Sequence, residues 1–180
     1  MLENVIAIRL QQIAQLFNSF DPSPFLEKDL DKDAVEHIVA WAQETDPGAA
    51  LTIRLHLPVD EAKTIEAQQL SSSLKNYFNY RTRQCELEKR ELFRRGRRAL
   101  AVGLPVLAIC LVGSQVLRSA LATNPLSRVL EESLIIFGWV ANWTPIELLL
   151  YDWWPIVRRR DLYQRLAEAK IDIVEYAHPR

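Results

Sequence analysis

Two cysteines, five glycines and one methionine are all that 180 residues contain, and each scarcity closes a class of answers. Cys85 and Cys110 stand alone, and none of the three histidines is spaced from them as a zinc ligand would be. A disulfide framework, a structural metal and a cofactor are therefore not expected. The glycines form no phosphate-cradling loop. There is no nucleophile elbow, no His-Glu-x-x-His, and no basic–aromatic pattern of the RNA-binding kind. A net charge of -1 supplies no field that would draw nucleic acid, which is not expected as a partner. Glu3, Arg9 and Gln11 interrupt the apolar core that a secretory signal requires, and no small-residue cleavage site follows. The most consequential lack lies further on: from Ala99 to Leu117 no side chain ionises except the thiol of Cys110.

That run, about 19 residues at about 1.5 Å rise each, matches a bilayer core of about 30 Å. Arg94, Arg95, Arg97 and Arg98 precede it. A second apolar run, Ser133 to Tyr151, follows Glu131 and Glu132 and ends at Trp153, Trp154, Pro155 and Arg158, Arg159 and Arg160. Interfacial tryptophans and flanking arginines read as membrane anchors, meeting anionic lipid headgroups. Both arginine clusters lie on one side of the two spans, and the connector 118–132 carries only Arg118 and Arg128. The positive-inside rule then places both termini in the cytoplasm. The mean hydropathy of -0.07 conceals this segregation.

The remainder reads as a small α+β domain built from the N- and C-terminal segments. Residues 5–10 make a short strand followed by a helix over 11–19, or else residues 5–18 are one helix. Phe20-Asp21-Pro22-Ser23-Pro24-Phe25 cannot continue a helix. Asp29 or Asp31 caps a helix to about Glu44, with Val35, Ile38, Val39 and Ala42 as its buried stripe. Leu51, Ile53, Leu55 and Leu57 alternate with Thr52, Arg54 and His56, the period of a half-buried strand. From Asp60 the pattern is helical and runs on into the first span, as one rod of about 85 Å by helix rise or with a break near Ser71-Ser72-Ser73. A helix over 158–168 and a strand over 171–176 complete the domain, whose sheet is covered by helices 11–19 and 31–44. The expected organisation is thus 1–58 cytoplasmic α+β, 59–98 amphipathic helix, 99–117 first transmembrane helix, 118–132 extracytoplasmic connector, 133–151 second transmembrane helix, and 152–180 cytoplasmic helix and strand. Together this is a membrane α-helical hairpin with a small cytoplasmic α+β domain.

Few residues invite chemistry. Asp29, Asp31 and Asp33 fall at three calcium-loop positions, but Ala34 and Ala40 replace the required glycine and glutamate. His56 lies on the polar face of its strand with no partner in sequence. Asp21 and Ser23 either line a pocket or simply cap a turn. Glu147 is the sharpest signal, because a carboxylate inside an apolar span needs a partner, water or a proton. Placed at about the depth of Gly103, it has Arg97 and Arg98 as its nearest cations. It serves either a proton or ion step together with Asn142, or a pinned hairpin in which it reaches an arginine. The stretches Asp21-Pro22-Ser23-Pro24-Phe25 through Lys28–Ala34, and Trp143-x-Pro145-x-Glu147 through Tyr151-Asp152-Trp153-Trp154-Pro155, resemble those of small uncharacterised bacterial two-span inner-membrane proteins. That resemblance implies a bacterial inner membrane and no mechanism. The expected function is a non-enzymatic, membrane-anchored interaction or scaffold module, forming a homo-oligomer or binding a membrane protein. The alternatives are an accessory subunit of a transport or proton-coupled complex using Glu147, and a small membrane-interfacial enzyme.

Overall fold

The computed structural model describes residues 4–46, 48–120 and 125–176. Among these residues the chain is mostly helical, with one three-stranded sheet and two helices long and apolar enough to cross a membrane. It divides into two compact units, Met1–Cys85 with Arg158–Arg180, and Glu86–Val157.

The first unit is built on strands β1 (Val5–Arg9), β2 (Thr52–Pro58) and β3 (Lys170–Tyr176), in the order β1-β2-β3 and all parallel. Register sets Ile6 beside Ile53 beside Ile171, and Ile8 beside Leu55 beside Ile173. Strand alternation therefore gathers Ile6, Ile53, Leu55 and Leu57 on one face, and all four are fully buried. Ala7, Arg9, Arg54, His56 and Asp172 alternate onto the other face, and none of them is buried. Parallel neighbours need long crossovers, and right-handed crossovers in this order carry both onto one face. The first crossover holds α1 (Lys32–Glu44), with Val35, Ile38 and Ala42 buried. Asp31 caps it, its Oδ1 accepting from the N–H of Asp33 at 3.0 Å and of Ala34 at 3.3 Å. The second crossover runs through a single turn, α2 (Val59–Ala62), and then α3 (Ile65–Ala120). Lys63 and Thr64 separate the two, and the Thr64 hydroxyl accepts from the Ala67 N–H at 3.2 Å.

The early part of α3 buries Leu70, Leu74 and Phe78 completely. Phe78 stacks on Tyr163 of α6 (Trp153–Glu168) with ring centroids 6.3 Å apart, and Arg81 donates to the Tyr163 hydroxyl at 3.2 Å. Arg165 of α6 donates to the carbonyl of Asp46 at 2.7 Å, fixing the loop before β2.

Three expectations give way here. The helix over 11–19 is only a 3-10 turn, Ile13–Leu16. Beyond it Phe17 bridges Leu30, with the Asn18 N–H donating to Asp29 and the Asp31 N–H to Leu16, so ladder bonds claim the backbone that a helix would use. Ser71–Ser73 does not break α3, because Ser73 turns its hydroxyl to the carbonyls of Gln69 and Phe25. The C-terminal helix starts at Trp153 rather than 158.

The second unit contains the later part of α3, then α4 (Pro125–Ala141), α5 (Trp143–Leu150) and the start of α6. α3 passes Pro105 unbroken. The second apolar run is interrupted. Asn142 ends α4 with an N–H bond to Trp139 at 3.0 Å and opens α5 by accepting from Ile146 at 3.2 Å. Pro145, three residues on, has no N–H to return to Ala141, which is why the helix parts here.

Truncating the fully buried Phe78 to alanine is expected to lower the stability of the folded chain by about 3–5 kcal/mol. Tyr80→Ala, half-exposed on the same helix, is expected to stay within about 0.5 kcal/mol. Denaturation followed by near-UV circular dichroism checks both.

Candidate functional site

Among the described residues of the second unit, Ile156 at the start of α6 is buried, and all the other buried positions are small or polar. On α3 they are Gly96, Gly103, Cys110 and Ser114; on α4 and α5 they are Gly138, Asn142 and Pro145. Seven-residue spacing recurs on both sides, from Gly96 to Gly103 to Cys110 and from Gly138 to Pro145, so each set forms a seam along its helix. A Cβ on Gly96 would come within 2.9 Å of Leu149, and one on Gly138 within 2.9 Å of Leu107. The backbones approach as closely as they do because those atoms are missing.

Asn142 is the centre of this seam and only 3% exposed. Its Nδ2 donates across the seam to the Gly103 carbonyl at 2.9 Å and back along its own helix to the Gly138 carbonyl at 3.0 Å. Its Oδ1 is buried and accepts no conventional hydrogen bond. A Cβ on Gly103 would lie 2.6 Å from that oxygen and 3.3 Å from the Ala141 carbonyl. Glycine carries a hydrogen in that direction instead, so Oδ1 and the carbonyl freed by Pro145 both face a Cα–H, a weak donor common at helix interfaces. The arrangement is a lock. An amide joins two helices at the break in one of them, against the only residue type that admits it.

The same contacts fix the level of Glu147. With Gly96 against Leu149 and Gly103 against Asn142, the antiparallel register sets Glu147 opposite Arg98 rather than at the depth of Gly103. Glu147 is exposed, and the structure makes no ion pair between it and Arg97 or Arg98, both also exposed. The lock therefore brings Asn142 together with Gly103 and leaves Glu147 outside the seam. Arg94 and Arg95 pair with Glu91 of their own helix. Trp153 is half-buried and meets the exposed Trp154 edge to face at 5.8 Å. Arg158 and Arg159 are exposed, and Arg160 pairs with Asp161. On the connector side Arg118 pairs with Glu131 at 3.7 Å and Arg128 with Glu132 at 3.6 Å.

In the first unit Asp21 and Ser23 do both things expected of them. They form a turn, with the Ser23 N–H donating to Asp21 at 2.9 Å and the Asp29 N–H at 2.6 Å. They also line a cleft of about 480 Å³ with Tyr77, Tyr80 and Arg83. The bond from Asp29, then those from Ser23, hold the Asp21 carboxyl below the usual aspartate range. Burial pushes the Tyr77 phenol up. Asn76 donates to the Leu26 carbonyl at 3.3 Å, and Ser73 to that of Phe25 at 3.1 Å, so the loop is strapped to α3. Among the described residues no three His, Cys, Asp or Glu side chains are placed to hold a metal.

Sequence analysis singles out Asn142 beside Glu147 and does not pair it with Gly103. The seven-residue spacing of Gly96, Gly103 and Cys110 was the available signal. No family model, no curated protein and no solved structure matches this chain.

Gly103→Ala must expel the Asn142 amide, and is expected to weaken the hairpin by about 1–2 kcal/mol. Gly113→Ala is the control: its Cβ would meet Leu134 at an ordinary 3.8 Å, and it is expected to be neutral or mildly stabilising. Unfolding by denaturing detergent from mixed micelles measures both. Because the folded Asp21 carboxyl titrates below its unfolded value, its anchoring of the loop is complete above the ordinary aspartate range and is lost as pH falls through the lowered folded value. Protection of the Asp29 amide, the slowing of its exchange relative to an unstructured peptide at the same pH, is expected to fall there, and in Asp21→Asn at neutral pH.

Proposed function

We propose that the second unit is a hairpin embedded in lipid, and that the chain is a non-enzymatic, membrane-anchored interaction module whose first unit is the platform. One observation carries the reading: the hairpin is inside out. Its seam holds glycine, serine, cysteine and asparagine, while Val102, Ile109, Val112, Val116, Ile136, Phe137, Trp139, Val140 and Trp143 point outward and are more than half exposed. Water-soluble monomers rarely expose apolar patches beyond a few hundred Å², about the area of two or three such side chains. Hydrocarbon removes the penalty for the exterior and strengthens the reason for satisfying the Asn142 amide inside. The arginine clusters on one side, and acid-paired arginines on the connector side, favour cytoplasmic termini. The resemblance noted in the sequence favours a bacterial inner membrane.

The transport reading gains no support. Glu147 stands at the level of Arg98, and among the described seam residues only Cys110 ionises. A proton would have nowhere to go next.

Tryptophan emission in bilayers with brominated acyl chains tests the proposal. Trp139 and Trp143 are 59% and 69% exposed, and strong quenching is expected in a variant that retains only these two tryptophans. A variant retaining only Trp41 is expected to be unquenched. A chain that stays in the aqueous phase, with both unquenched, contradicts it.

A further inference from the structure

We propose that the platform's partner is a second copy of this chain, joined edge to edge through β3 in antiparallel register centred on Ile173. This rests on the interaction-module reading and names its partner. The backbone decides which groups are available. The Lys170 N–H donates to Leu51 at 3.0 Å, so the even-numbered residues of β3 face β2. In a parallel ladder the alternate residues then direct N–H and C=O away from the sheet. These are Ile171, Ile173 and Glu175. β3 is seven residues long, contains no proline, and among the described strands pairs only with β2. Such an edge is a template for another strand.

Only one register satisfies those groups among themselves. With Ile173 opposite Ile173 of the second copy, Ile171 meets Glu175, and about six backbone hydrogen bonds form. Lys170 then lies opposite Tyr176, and Asp172 opposite Val174, so no like charges meet. Centring on Asp172 sets carboxylate against carboxylate, which is destabilising. Centring on Val174 leaves Ile171 without a partner inside the strand. A shift by one residue sets outward groups against inward ones and turns the covered face to solvent. The side chains agree: Ile173 and Val174, on opposite faces, are each 37% exposed, whereas the other edge strand, β1, exposes no large apolar side chain.

Ile173→Pro and Ile173→Cys, in the full chain reconstituted in vesicles and in mild detergent, test the pairing. Proline at 173 removes only an outward N–H, which an edge strand tolerates. The wild type is expected to be dimeric, and Ile173→Pro to keep its helical signal while its dimer dissociation constant rises at least tenfold. The Cα atoms of the central pair lie about 5.5 Å apart, within disulfide range. Oxidation of Ile173→Cys should therefore cross-link in vesicles, and Val174→Cys, about 8 Å from its own copy in this register, should not. Equal cross-linking of the two, an Ile173→Pro dimer as tight as the wild type, or a monomeric wild type in vesicles overturns the pairing while leaving the anchor standing. A chain that never enters vesicles overturns both. If Ile173→Pro loses its helical signal, the cross-linking comparison decides alone.

Discussion

An amide held between two helices is the point on which the second unit turns. Asn142 can span the seam because Gly103 offers a carbonyl at 2.9 Å and no side chain. Its placement follows from Pro145, which breaks the helix and lets Asn142 cap the shorter piece. Neither residue achieves this alone. A leucine at 142 would need room that Gly103 provides only for an amide, and an alanine at 103 would strike the amide oxygen. The hairpin is narrow for the same reason: a Cβ on Gly96 or Gly138 would stand 2.9 Å from Leu149 or Leu107, and the leucine would have to shift.

The first unit depends on that return of the chain. β3 is parallel to β2 and hydrogen-bonded beside it, yet α2, α3, α4, α5 and α6 all intervene in sequence. A parallel pair with so long a crossover forms only if the crossover folds back on itself. Here the fold-back is the glycine seam, and the first unit then receives Tyr163, Leu166 and Ala167 from α6 as part of its core. Phe78 against Tyr163, with Arg81 on the hydroxyl, joins the outgoing and returning segments.

Patterned residues were legible in the sequence. The alternation of Leu51 to Leu57 announced β2, the acids at 29 and 31 announced a cap that the structure assigns to Asp31, and the uncharged run from Ala99 announced a helix apolar enough for a membrane. Three-dimensional partners were less legible. Whether residues 11–19 were helical depended on Leu30, far along the chain, whose bridge with Phe17 takes the backbone bonds. Parallel pairing of β3 left no trace in its own alternation. Glu147 drew attention as a lone carboxylate in an apolar run, but its level was set by glycine contacts on another helix. Asn142 was noted for its polarity, and its role lay in Gly103, a residue with no side chain to notice.

Oxygen and water-soluble nickel chelate, as paramagnetic relaxants of spin labels placed singly along 134–147 in bilayers, measure the inverted hairpin directly. The account predicts oxygen access peaking at the exposed Ile136, Phe137, Val140 and Trp143 and falling at the half-buried Leu134 and Ala141 beside the seam, with nickel excluded from all six. Nickel access at Ala141, or oxygen maxima at Leu134 and Ala141, would contradict it.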